Sequence, residues 1–177
     1  MIQVTSATSA LLGWNPVSEE SVRGHFKGYK IQTWTEHEGE EALREIVVKS
    51  NSNQTLVTQF KPFSKNYARI LAYNSVFNGP ASAVIDFDTP EGVPSPVQSL
   101  DAHPLGSSAF LLTWKKPLFP NGKLTGYKIY YEEVRGTYVG ERREYDPHIT
   151  DPRINRMKMA GLKPNTMYRI IITATTK

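Results

Sequence analysis

The sequence predicts an all-β chain made of two tandem sandwiches, and three observations carry that expectation. Apolar and polar residues alternate with a period of two in several segments, so that one face of each strand turns to a core. Nine Tyr, seven Phe and three Trp stand among twelve Gly and twelve Pro, strand formers punctuated by turn formers. The second half of the chain also repeats the first.

Taken in order, Trp14 closes a first strand ahead of Pro16, and Tyr29 and Ile31 alternate with Lys30 along the next. Glu36 to Val48 is rich in Glu, but its apolar positions fit a helical stripe poorly, and it reads as a long charged hairpin or loop. Val57 marks a short strand after a polar stretch, and Ala68, Ile70 and Ala72 form the inward row of another. Thr89 to Pro96 holds three prolines and a glycine, which neither a ladder nor a helix tolerates. It divides the chain into domains at 1–90 and 97–177, with 91–96 as a stiff linker. Beyond it the alternation resumes in Phe110, Leu112 and Trp114, then Tyr127, Ile129 and Tyr131, then Met157 and Met159, and last Tyr168, Ile170, Ile172 and Ala174. The expected core is Trp14, Tyr29, Ile31 and Ile70 in the first half, with Trp114, Tyr127, Ile129, Leu162, Tyr168 and Ile170 in the second.

The duplication rests on anchors in one order. Trp14 answers Trp114 at an offset of 100, Gly28-Tyr29-Lys30-Ile31 answers Gly126-Tyr127-Lys128-Ile129 at 98, and Phe60-Lys61-Pro62 answers Leu162-Lys163-Pro164 at 102. A repeated module of about 100 residues explains all three.

Composition narrows the function. The chain has no cysteine, which removes disulfides, thiolate metal sites and cysteine nucleophiles. No apolar run approaches the roughly 18 residues of a membrane helix. Residues 1–90 hold eight Lys and Arg against nine Asp and Glu, net −1, and residues 91–177 hold thirteen against eight, net +5. That surplus falls short of a nucleic-acid footprint, and no nucleic acid is expected as a partner.

Catalytic signatures are lacking. His25, His37, His103 and His148 are dispersed without zinc-type spacing or a serine nucleophile context. Gly122-Lys123-Leu124-Thr125 lacks the upstream glycine of a phosphate loop and reads as a turn. Asp86 and Asp88 share the outward face of a terminal strand. No enzyme activity, small-molecule substrate, cofactor or metal is expected. Asn53-Gln54-Thr55 is an N-glycosylation acceptor in an accessible stretch. Arg156 and Lys158 lie opposite Met157 and Met159 on an outer face, a row that a sulfated polysaccharide or an acidic module would suit and that also serves merely to keep the face wet. Arg142-Arg143 is a dibasic pair in an exposed loop.

The order Trp114, then Tyr127-Lys128-Ile129, then Leu162-Lys163-Pro164-Asn165-Thr166-Met167-Tyr168 resembles the fibronectin type III domain, an immunoglobulin-like sandwich, and the resemblance covers both halves. It implies that each Trp fills a sandwich centre and that Tyr168 forms a tyrosine corner. In the first half Asn66 holds the corner position and the tyrosine comes one place later, at Tyr67. Either a bulge restores the corner or Tyr67 points outward; the alternation of Ala68, Ile70 and Ala72 favours the second. Against the family's seven strands, the first module is expected to lack most of its first strand and the second to lack its last, as in a fragment of a longer protein.

The stretches 14–35, 78–80, 87–94 and 138–147 also resemble the third and fourth fibronectin type III modules of neural cell adhesion receptors. That resemblance implies extracellular modules of a single-pass plasma-membrane glycoprotein, acting as spacers and protein-interaction domains in cell–cell adhesion and axon guidance, with homophilic or heterophilic protein partners and sugar on Asn53. A pair from a cytosolic or muscle protein, and accessory modules of an extracellular enzyme or receptor phosphatase, stand as alternatives. On the resembled strands Trp34, Tyr67, Leu71 and Tyr73 project from a face expected to be polar, an apolar patch that suits contact or that is covered by the Glu-rich segment near Ala42-Leu43 or by the neighbouring module.

Overall fold

Strand alternation sets the fold. The computed structural model describes residues 1–177, which form two compact units, Met1–Pro90 and Glu91–Lys177.

In the first unit, β1 (Ile2–Ser6), β2 (Ser9–Gly13) and β5 (Gln54–Val57) make one antiparallel sheet in the order β1-β2-β5. The other sheet runs β4-β3-β6-β7, from β3 (Phe26–Thr35), β4 (Arg44–Lys49), β6 (Lys65–Asn74) and β7 (Ile85–Asp88). Ala10 and Leu12 from the first sheet meet Ile31, Ala68 and Phe87 from the second, with Val57 and Phe60 closing the cluster. Trp14 is only half-buried, stacked at a tilt on buried Tyr29 with centroids 5.2 Å apart.

Two features of this unit differ from expectation. β1 is short, five residues against eight in its counterpart of the second unit, yet it pairs with β2 from Ile2↔Leu12 to Ser6↔Ser9. Ile2 and Val4 pack on the core and the Met1 ammonium donates to the Gly13 carbonyl, so the sandwich has all seven strands where most of the first was expected to be missing. The Glu-rich segment also contains a regular strand. After a 3-10 turn at Glu40–Ala42, β4 alternates Ile46 and Val48 inward with Glu45, Val47 and Lys49 outward, a period-two pattern masked in the sequence by the acidic turn before it.

The second unit repeats the plan. β8 (Gln98–Leu105), β9 (Ala109–Lys115) and β13 (Arg156–Met159) form the sheet β13-β9-β8. β10 (Leu124–Arg135) anchors the other, with β14 (Met167–Thr176) on one side and β11 (Tyr138–Val139) and β12 (Arg143–Glu144) on the other. The continuous β4 of the first unit is here broken into β11, β12 and a bridge from Tyr127 to Ile149. β14 pairs only with β10, and no strand lies on its other side. The core joins Leu112, Trp114, Tyr127, Ile129, Met159, Leu162 and Ile172, with Tyr168 and Ile170 packed against it. The stretch read as a linker belongs locally to this unit: Gly92 N–H donates to Asn121 O, Ser95 N–H to Phe119 O, and Glu91 Oε1 accepts from Lys123 N–H.

Gly28 and Gly126 hold one place in the repeat. Each lies where the neighbouring strand passes too close for a side chain: a Cβ on Gly28 would stand 2.2 Å from Val48 O, and one on Gly126 1.8 Å from Ile149 O.

Candidate interaction surfaces

The outer face of β3 and β6 is the most elaborated surface of the first unit. Register sets it: Lys30 lies opposite Leu71, Gln32 opposite Arg69, and Trp34 opposite Tyr67, with Tyr73 beside Gly28. All these side chains alternate with the core row of Tyr29, Ile31 and Thr33, so the pleat turns them outward.

There they form a ladder of rings and cations. Trp34 and Tyr67 stack with centroids 5.8 Å apart, the Arg69 guanidinium lies 5.2 Å from the Trp34 ring, and Lys30 Nζ lies 4.8 Å from the Tyr73 ring. Cation–ring contacts of this kind are attractive by about 0.5–1 kcal/mol each where exposed. Polar neighbours fix the cations. Arg69 Nε donates to Gln32 Oε1 at 2.7 Å and Nη1 meets Glu40 Oε1 at 2.6 Å; Lys30 Nζ donates to Asn78 Oδ1 at 3.0 Å. Tyr67 donates to Glu36, and its phenol, ahead of Asp86 and Glu36, holds the Lys65 ammonium above its ordinary value.

Tyr67 therefore points outward and no corner forms in the first unit. Asn66 occupies the corner site, buried, its Nδ2 donating to Ser64 O. In the second unit Tyr168 does form the corner, its hydroxyl accepting from Lys163 N–H at 2.8 Å.

Leu71 departs from expectation. It is 7% exposed and lines a cleft of about 550 Å³ with Trp14, Val17, Phe77 and Pro80, beneath the segment that follows β6. That segment is tied down by Gly79 N–H to Ala72 O and Ser82 N–H to Ile70 O. Leu71 is thus part of the wall, and the contact face reduces to Trp34, Tyr67 and Tyr73 with their cations. The cleft was invisible in the sequence, because closure by a coil segment leaves no periodic trace.

The equivalent position of the second unit holds different chemistry. Glu132 lies opposite Arg169, where Trp34 lies opposite Tyr67. Its carboxylate is buried and accepts from Arg142 Nε at 2.7 Å and Arg169 Nε at 2.8 Å, and Arg142 first, then Arg169, holds it below the ordinary carboxylate range. Sequence reasoning missed this clamp, since only register brings three distant charges together. It also engages Arg142 of the dibasic pair, while Arg143 sits in β12 opposite Tyr131. Arg143 is therefore in a strand, and Arg142, in the coil just ahead of it, is tied to Glu132; both remain exposed.

On the other sheet of this unit Arg156 and Lys158 are exposed on the outer face of β13, as their alternation indicated. Asn53 is exposed immediately ahead of β5. No three His, Cys, Asp or Glu side chains converge to hold a metal ion. Asp86 pairs with Lys65 at 3.6 Å, and residues 116–123 form the turn between β9 and β10. No helix is long and apolar enough to cross a membrane.

Comparison with known proteins agrees with this architecture. The family model described as the fibronectin type III domain matches residues 1–88 and again 95–177. The chain is 81% identical over its whole length to Neuroglian of Drosophila melanogaster, of which it spans 14%. It is 30% identical over 99% of its length to Neural cell adhesion molecule L1 of Homo sapiens, again spanning 14% of that protein, and equally so to the Mus musculus form. Two matches to one family model, on two sandwiches of the same topology, place both units together: the chain belongs to the fibronectin type III family.

Proposed function

We propose that the chain supplies extracellular modules of a single-pass neural cell adhesion receptor, serving as spacer and protein-interaction domains in cell–cell adhesion and axon guidance. The similarity to Neuroglian and to neural cell adhesion molecules supports the setting. In this reading residues 1–90 and 97–177 are the modules, 91–96 is the stiff lead into the second, and Asn53 carries sugar. The mechanism is recognition and spacing rather than catalysis.

The observation that carries a direct role in contact is the ladder on β3 and β6. Trp34, Tyr67 and Tyr73 are ordered by stacking and by fixed cations before any partner arrives, so little side-chain entropy remains to be lost on association. Aromatic and Arg side chains of this kind are enriched at the energetic centres of protein interfaces. The partner is another adhesion molecule or a second copy of the receptor. Sedimentation velocity on this chain over a wide concentration range tests self-association. Dimerisation abolished by Trp34→Ser or Tyr73→Ser is the expected result. A strict monomer at high concentration refutes homophilic contact through this face and leaves the spacer role.

A further inference from the structure

The charge surplus of the second unit is unevenly spent. Six of its thirteen cations make ion pairs, and five of those six, Lys128, Arg135, Arg142, Lys163 and Arg169, belong to the sheet of β10 and β14 or its flanking loops. The sixth, Arg153, is taken by Asp151 at 2.8 Å. The β13-β9-β8 sheet has no such neutralisation. Lys115, Arg156 and Lys158 are exposed on its outer face, and none has an acidic partner within 4 Å.

Register makes a line of them. Arg156 lies opposite Thr113 and Lys158 opposite Leu111, so Lys115 is the next outward position on β9 beyond Arg156. Successive outward positions are about 6.7 Å apart along a strand, and Lys115 is offset by one strand spacing of about 4.8 Å. The row Lys158, Arg156, Lys115 therefore runs along the strands as a strip of three free cations. His103 flanks it opposite Leu111, and Asp101, opposite Thr113 on the adjoining β8, makes no ion pair with any of the three.

We propose that this strip binds a sulfated polysaccharide. A linear polyanion repeats its charge along one axis and gains by releasing counterions at each cation it meets, so a straight, unpaired row suits it. An acidic protein suits the face less well, because a protein interface needs apolar or aromatic anchors in its centre. The outward centre here offers only Thr113 and the half-buried Leu111. The proposal rests on the extracellular setting inferred above and is independent of the aromatic ladder on the first unit.

The test is titration of the 177-residue chain with a size-defined heparin octasaccharide over a salt series, with the N-desulfated, O-desulfated octasaccharide as control. The triple variant Lys115→Ser, Arg156→Ser, Lys158→Ser is compared with Lys123→Ser, Arg143→Ser, Lys177→Ser, which removes the same charge from unpaired positions of the other sheet. Unchanged thermal unfolding establishes that both variants fold. The expected result is a Kd that weakens by about tenfold or more in the first triple and by about twofold or less in the second, with a log–log salt slope of about 2 to 3. Equal loss in both triples, equal binding of the desulfated octasaccharide, or no binding at about 1 mM octasaccharide in low salt overturns the assignment. Because the measurement is made in solution, failure condemns the strip and not the extracellular setting, which is read separately from sugar on Asn53.

Discussion

Gly126→Ala is the sharpest probe of how the second sandwich is assembled. A Cβ there would stand 1.8 Å from Ile149 O, 2.8 Å from Ile149 C and 3.1 Å from Thr150 Cα. A relaxed carbon–oxygen contact is about 3.3 Å, so the Ile149 segment must retreat by roughly 1.5 Å. That breaks both bonds of the Tyr127–Ile149 bridge, N–H to O at 2.9 Å in each direction. Two backbone bonds are worth about 2 kcal/mol net. Displacing Ile149, 7% exposed in the core, adds roughly 1–3 kcal/mol. Reduced freedom of the unfolded chain returns roughly 0.4–1 kcal/mol, leaving about 3 kcal/mol of destabilisation. Gly136→Ala is the control: its φ is +61° with nothing within 4 Å, so it carries backbone strain alone, about 1 kcal/mol. Urea unfolding followed by amide NMR signals of Ile129 and Ile172 isolates the second unit, with Ile31 reporting the first. With a slope of about 1 kcal/mol per molar, the midpoint should fall by about 3 M for Gly126→Ala and about 1 M for Gly136→Ala. If the two variants agree within about 1 kcal/mol, close strand approach is not why glycine stands there.

Three further outcomes follow from the same structure. Tyr168→Phe removes the acceptor for Lys163 N–H and should cost about 1–2 kcal/mol by urea unfolding, whereas Tyr67→Phe, which loses only an exposed bond to Glu36, should cost less than about 0.5 kcal/mol. Asp151 is held at about 2 by the side-chain and backbone bonds from Arg153. Its folded value lies below its unfolded one, so its contribution is full above about pH 4 and is lost as pH falls through 2. Arg153→Ala should raise the Asp151 carboxyl midpoint, read by carbon NMR, toward the ordinary range and flatten the acid loss of stability in that window. Leu112→Ala empties a fully buried site between the sheets and should cost about 3–4 kcal/mol, confined to the second unit.

The scaffold was legible because its signals are local. Period-two alternation runs through Tyr29 and Ile31, Tyr127 and Ile129, and the inward row of β14, and the two compact units divide at residue 90, inside the proline-rich stretch. The outward turn of Tyr67 was also legible, since a one-residue shift within a strand reverses the face. What was lost depended on non-local geometry. β4 hid behind its acidic turn, β1 behind the comparison with a longer strand, and the burial of Leu71 behind a coil segment that no pattern marks. The Glu132 clamp needs residues 132, 142 and 169 in one register, and nothing in the spacing of those charges announces it.

The two units share a scaffold and diverge where the scaffold is indifferent. Glycines at 28 and 126, tryptophans at 14 and 114, and the tyrosines at 29 and 127 hold equivalent places because strand approach and core volume admit few substitutes. The outward pair on the two central strands is under no such constraint. In the first unit it is the Trp34–Tyr67 stack, half-buried on the surface; in the second it is the Glu132–Arg169 ion pair, closed by Arg142. A stacked aromatic pair keeps a polarisable surface facing solvent, whereas a doubly bonded carboxylate has its acceptor capacity largely spent. In the proposed roles, contact through the four-stranded sheet therefore belongs to the first unit, and polyanion binding to the other sheet of the second. There three of the seven cations without an ion pair, Lys115, Arg156 and Lys158, line up on β9 and β13.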